Sequence, residues 1–131
     1  MRRFQELLVW QKAHQLVLDV YRTTKRFPRV EQYALIDQMR RAAVSIPANI
    51  VEGHKRTSKR EFMNFVSIAE GSLEESKCYA LLSRDLGDLS ADMAHILTQE
   101  AEEVGRMLHG LKSHIKEELI HANGKQRALV L

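Results

Sequence analysis

The sequence predicts an all-α protein, an antiparallel up-down-up-down four-helix bundle. Three observations lead there. Apolar residues recur at three- and four-residue steps through four long segments. The composition is rich in aliphatic residues and alanine, with six glycines and two prolines in 131 residues, enough chain for one domain with its own core. The connections between segments are only a few residues long, which forces consecutive helices to run antiparallel.

The first helix is expected over about residues 6–26. Val9, Ala13, Leu16, Val17, Val20 and Thr24 form its stripe, Phe27 extends it, and Pro28 stops it. The second spans 31–53, with Leu35, Met39, Ala42, Ala43, Ile46 and Ile50 as its stripe and Gly53 as a C-terminal stop. Ser58 opens the third, over 58–86. Glu61 lies three residues on, so the two can cap each other's free backbone N–H groups. Phe62, Phe65, Val66, Ala69, Leu73 and Ala80 carry that helix towards Gly87, and Ser72, Ser76 and Ala80 make a small-residue ridge for a close neighbour. Ser90 starts the fourth, over 90–120, lined by Met93, Leu97, Ala101, Val104, Leu108, Leu111 and Ile115, with Gly124 as its expected end. Residues 1–120 thus form the bundle, and 121–131 a tail that is loose or grips a neighbour.

Charge is unevenly spread. Residues 1–60 hold thirteen Lys/Arg against five Asp/Glu, and residues 61–131 hold seven against twelve. The antiparallel topology gathers Arg2, Arg3, His54, Lys55, Arg56, Lys59, Arg60, Lys112, Lys116, Lys125 and Arg127 at one end, opposed by Glu6, Glu52, Glu61, Glu117 and Glu118. The densest part is HKRTSKR, residues 54–60. It suits sequence-independent, salt-sensitive contact with nucleic-acid phosphates, and Arg2, Arg3, Lys55, Arg56, Lys59 and Arg60 are the candidate contacts. No aromatic interleaves with them, so no base-stacking platform is expected. A solvated loop is the competing reading.

The stretch RRAAVSIPANIVEG, residues 40–53, is unusual for a surface helix. On a helical wheel Ala42, Ala43, Ile46 and Ile50 share one side, Gln38, Arg41, Ser45, Asn49 and Glu52 form a polar stripe beside them, and Val44, Pro47 and Val51 occupy a third. Few positions suit water, so a second subunit is expected to cover the outer face. Pro47 removes a helical hydrogen bond and frees the carbonyl of Ala43, which predicts a kink and a polar group nearby, Ser45 or Asn49, to satisfy it. Arg41 and Glu52 lie about 16 Å apart along the axis and need partners from elsewhere, with Glu70, Glu74 or Glu75 as candidates for Arg41.

The segments LLVWQKAHQLVLDVY, FPRVEQYALIDQMRRAAVSIPANIVEG and EFMNFVSIAEGSLEE closely resemble the 23S rRNA intervening-sequence proteins, over roughly residues 4–115. SIPANI followed by EG is the specific part. The resemblance implies a four-helix bundle assembled as a homo-oligomeric, pentameric ring. Relatives in diversity-generating retroelements, the accessory variability proteins, bind a reverse transcriptase and RNA or DNA. It thus implies a nonenzymatic, nucleic-acid-associated scaffold. Trp10, Pro28, Glu31, Arg41, Ser45, Pro47, Asn49, Glu52, Gly53, Gly71 and Glu74 match the family pattern and are read as fold and assembly positions.

Other chemistry finds little support. A di-iron bundle needs two Glu-x-x-His pairs, and this chain has one, Glu118 and His121. His109 and His114 point to different faces, and with one cysteine no zinc site is expected. No cofactor is implied. A HEPN-like ribonuclease would need closer agreement than Arg106 with His109 or His114 offers. Cys78 reads as a small buried residue, and a single cysteine fits a reducing, cytoplasmic compartment. No apolar run is long enough for a membrane span. Two functional expectations follow: a ring-forming scaffold that binds nucleic acid and holds a partner enzyme, or a pure protein-protein assembly module.

Overall fold

The computed structural model describes residues 3–130, with the side chains of all of these except 31–33 and 125–130. Within that span the regular structure is helical throughout. α1 runs Leu8–Thr24, α2 Asp37–Lys55, α3 Lys59–Asp85 and α4 Ala91–Val130. A 3-10 turn at Phe4–Glu6 leads into α1, and a 3-10 turn at Arg29–Glu31 and a π-helical turn at Gln32–Ile36 lead into α2. Each helix packs against its successor, and α4 closes the bundle on α1.

The apolar stripes meet in one core. Val9, Ala13, Leu16 and Val20 of α1 are buried with Met39, Ala43, Ile46 and Ile50 of α2. Val66, Ala69, Leu73 and Ala80 of α3 and Leu97, Ala101, Val104, Leu108 and Ile115 of α4 complete it. Truncating one of the larger side chains to alanine typically costs about 2–5 kcal/mol.

Local chemistry explains the ends. Pro28 follows α1 and has no N–H with which to continue a helix. The Ser58 hydroxyl accepts from the Glu61 N–H at 3.3 Å, and the Ser90 hydroxyl from the Met93 N–H at 3.1 Å, so both serines cap as expected. Gly87 adopts φ +84°, the left-handed conformation that lets the chain turn after α3. Two other glycines do not act as expected. α2 continues past Gly53 to Lys55, and α4 continues past Gly124 to Val130. Neither adopts a positive φ, and without the left-handed step a glycine does not end a helix. The segment beyond residue 120 is therefore helical as far as Val130 rather than a loose tail. At 40 residues α4 is about 60 Å long, well past Ile115, the last buried residue among its described side chains.

Gly53 has a different role. A Cβ there would stand 2.8 Å from Phe62 Cδ1 and 2.8 Å from Phe65 Cβ, so its lack of a side chain lets α3 approach α2 closely. Further along the same seam the Ser45 and Ser72 hydroxyls share a hydrogen bond at 2.8 Å, and the Ser83 hydroxyl reaches Met39 Sδ at 3.8 Å. The small ridge of α3 is used as its composition suggested, since Ser72, Ser76 and Ala80 are all buried.

A latch that the sequence did not announce joins α1 to α2. Thr24 is buried, and its hydroxyl donates back to the Val20 carbonyl at 2.8 Å. Arg40 Nε donates to Thr24 Oγ1 at 2.9 Å, and the guanidinium lies 4.5 Å from the centroid of the Tyr21 ring. Cys78, expected to be buried, is exposed on α3. It falls on the face opposite Ala69 and Ala80, away from the core.

Candidate nucleic-acid interface

The turn between α2 and α3 is short and cationic. α2 ends at Lys55, Arg56 is extended at φ −69° and ψ 146°, and its N–H closes on the Gly53 carbonyl at 3.1 Å. Ser58 then caps α3. Lys55, Arg56, Thr57, Ser58, Lys59 and Arg60 are all exposed. The first backbone N–H groups of a helix have no intrahelical acceptor, and the helix dipole adds partial positive charge at that end. Ser58 takes up the N–H of Glu61, leaving those of Lys59 and Arg60 at the mouth of α3. Backbone and side chains thus both favour an anion here.

The predicted contacts are not equivalent. Lys59 Nζ pairs with Glu118 Oε2 of α4 at 2.7 Å, and His114 Nε2 meets the other oxygen, Oε1, at 2.7 Å. The hydrogen bond from Lys59 holds the Glu118 carboxyl below the usual carboxylate range, and the charges of Lys59 and His114 add to this. Arg56 Nη2 reaches Glu52 Oε2 at 3.5 Å, and its guanidinium lies 5.0 Å from the centroid of the Phe65 ring. Lys55 and Arg60 form no ion pair with a described side chain. Arg3 is exposed just before the first turn, and Arg2 lies outside the described residues. Lys112, counted with this end by topology, is turned to Glu70 on α3 at 3.0 Å.

Aromatic rings are closer to this surface than the sequence suggested. Besides Phe65 beneath Arg56, the Phe62 ring meets His54 edge-on at 6.1 Å between centroids. Both rings are half-buried against the α2–α3 seam. They support the basic side chains rather than offer an open face to a base.

The polar stripe of α2 is divided between seam and solvent. Ser45 and Asn49 lie in the seam, where Asn49 Nδ2 donates to the Ser45 carbonyl at 2.7 Å and to its hydroxyl at 2.9 Å. The side chain thus braces the carbonyl of Ser45, not that of Ala43. Pro47 is buried within the protomer, and α2 continues unbroken through it. Arg41 and Glu52, expected to need partners from another helix, are exposed. Glu52 pairs with Arg56 on its own helix end, and Arg41 has no ion pair with a described residue. Glu74, a candidate for Arg41, pairs with Lys77 at 2.8 Å. The reason is rotational: α3 meets α2 through Ser45 and Gly53, which turns Arg41 outwards. Trp10 is half-buried, stacked on His14 at 4.7 Å and edge-on to Phe4 at 5.2 Å, and packs against the core at the start of α1.

Gly71 is exposed on α3, and an added Cβ would meet nothing within 4 Å. Ile68 beside it is 51 % exposed, and Val44 on the neighbouring helix is 40 % exposed. Ala48 is exposed as well. The outward sides of α2 and α3 therefore carry exposed small and apolar residues, with Arg41 and Glu52 exposed on α2 as well.

Arg106 and His109 line a groove between α3 and α4 with Glu70, Glu74, Lys77 and Glu102. Among the described residues no group of three His, Cys, Asp or Glu is placed to hold a metal ion. No described helix is long and apolar enough to cross a membrane.

Comparison with solved structures gives the same architecture. The chain is similar to a crystal structure of a protein of unknown function from the S23 ribosomal protein family of Bacteroides thetaiotaomicron, with a TM-score of 0.73 at 18 % identity. The match covers 80 % of this chain and 98 % of that one. No curated protein matches in sequence. The family model described as 23S rRNA-intervening sequence protein matches residues 5–110. That span holds α1, α2, α3, the basic turn and much of α4, and the chain belongs to the 23S rRNA-intervening sequence protein family.

Proposed function

We propose that this chain is a nonenzymatic scaffold that assembles with copies of itself and binds RNA or DNA phosphates at the α2–α3 end. The observation that carries the reading is the pair Lys55 and Arg60, exposed and without a described ion-pair partner, flanking the N-terminus of α3. Arg56 and Lys59 add charge that a phosphate can win from Glu52 and Glu118. Assembly is supported by the wetted Val44, Ala48, Ile68 and Gly71, since apolar surface of that kind gains from being covered. The five-membered ring and a bound partner such as a reverse transcriptase come from the family resemblance, and action in the cytoplasm comes from the single cysteine.

Filter binding of a generic single-stranded RNA at two salt concentrations tests the nucleic-acid role. Four phosphate contacts predict roughly a 50-fold loss of affinity between about 50 and 200 mM salt. Charge reversal at Lys55 and Arg60 should weaken binding more than reversal at Lys59, which already has a carboxylate beside it. Absence of binding at the lower salt would leave a pure protein-protein assembly module. Cleavage of the labelled RNA would instead favour a ribonuclease.

A further inference from the structure

The basic end carries an anion of its own. Glu118 of α4 places its carboxylate between two groups that can donate to it. Lys59 Nζ, from the first residue of α3, stands 2.7 Å from Oε2, and His114 Nε2, one turn back on α4, stands 2.7 Å from Oε1. The contact is close, yet the side chains of Lys59, His114 and Glu118 are 50 %, 67 % and 38 % exposed. An ion pair with that much access to water is worth little, and a swing of the Glu118 side chain leaves the space between the two donors open.

The other acid paired at this end is placed differently. Glu52 reaches Arg56 at 3.5 Å within the last turns of α2, whereas Glu118 comes from a separate helix and closes on Lys59 at hydrogen-bond distance. The hydrogen bond from Lys59 lowers the Glu118 carboxyl, so it is ionised near neutral pH and the space is held by charge. Beyond this contact α4 continues to Val130, about 18 Å past the start of α3. Arg60 is the neighbour of Lys59 in the chain, so a strand on the basic turn lies close to α4.

We propose that Glu118 is a built-in substitute for a nucleic-acid phosphate: in the free protein it fills a phosphate site made by Lys59 and His114, and a bound strand displaces it and extends its footprint from the α2–α3 turn onto α4. The inference rests on the nucleic-acid reading above. A carboxylate and a phosphodiester offer the same kind of acceptor, two oxygens sharing one negative charge, so donors spaced for one suit the other. A single small anion has no more to offer than the carboxylate already there. A polyanion makes several contacts at once and releases condensed counterions as it does so, which offsets the loss of the Lys59–Glu118 pair.

Fluorescence anisotropy of a labelled generic single-stranded RNA with the full chain at about 50 mM salt tests this. Glu118→Gln keeps the side-chain shape, removes the competing charge and should tighten binding about two- to fivefold, the range expected for an exposed ion pair that no longer has to be broken. Glu117→Gln removes the same charge one position earlier, where the side chain is exposed and pairs with no described cation, and should change affinity far less. Lys59→Gln and His114→Gln should each weaken binding more in the Glu118→Gln background than in wild type, because only there are both donors free. Unchanged or weaker binding by Glu118→Gln, or equal tightening by Glu117→Gln, would overturn the proposal and leave the basic turn as a nucleic-acid surface. Failure of wild type and Glu118→Gln alike to bind the RNA would overturn both readings.

Discussion

Gly53 shows how far one missing methyl can determine packing. The nearest atom to an added Cβ includes Phe65 Cβ at 2.8 Å, which is fixed to the α3 backbone and cannot swing away. Gly53→Ala should force the two helices apart and cost about 1–3 kcal/mol, seen as a lower thermal midpoint by circular dichroism. An unchanged midpoint would mean that the seam yields without strain. Glu100 makes a prediction in pH. Its folded-state value, about 7, lies above the ordinary 4.5, so the protonated form is the one the fold favours. Its contribution is fully present below about pH 4.5 and is lost as pH rises through 7. Glutamine cannot ionise. Glu100→Gln should therefore match wild type in thermal midpoint near pH 5 and exceed it by a few degrees near pH 8. A constant difference across that range would show that the carboxyl is not perturbed. Neither residue was legible as special in the sequence. Gly53 read as a helix stop, since its contact with Phe62 and Phe65 comes from another helix. Nothing in the local pattern marks Glu100, because the acid facing it, Asp19, is 81 positions away.

Helices were the most legible level. Long apolar stripes, Ser58, Ser90 and Gly87 predict four helices and most of their ends, because stripe, cap and turn are local properties. The exceptions have tertiary causes. The π-helical turn at Gln32–Ile36 shifts the register ahead of α2, and nothing in the local pattern marks it. Arg41 was expected to be enclosed, yet the rotation of α2 turns it out and places Arg40 on Thr24 and Tyr21 instead. The exposed glycine in the middle of α3 has a use at this scale. Gly71→Ala meets no neighbour within the protomer, so helix propensity alone should raise protomer stability by about 0.5–1 kcal/mol in denaturant unfolding at low concentration. If the surface beside Ile68 is where copies meet, the same methyl should weaken self-association. A variant both more stable and more dissociated would locate the contact, and a variant equally associated would move it elsewhere.

At the scale of the whole molecule, charge and apolar surface divide the protomer. The α2–α3 end combines a helix N-terminus with exposed Lys55, Arg56 and Arg60. The outward sides of the same two helices leave Val44, Ala48 and Ile68 wetted. An assembly through those sides would set the basic ends of several copies around one axis and multiply weak phosphate contacts into a useful affinity. The bundle itself was readable from periodicity. A second subunit over the outer face of the second helix was an expectation from the same pattern, and the number of copies came only from the family resemblance. Multi-angle light scattering at micromolar protein tests this most directly. The account predicts a single particle of about five times the 15.1 kDa chain mass, and a particle of one chain mass that persists at high concentration would contradict it.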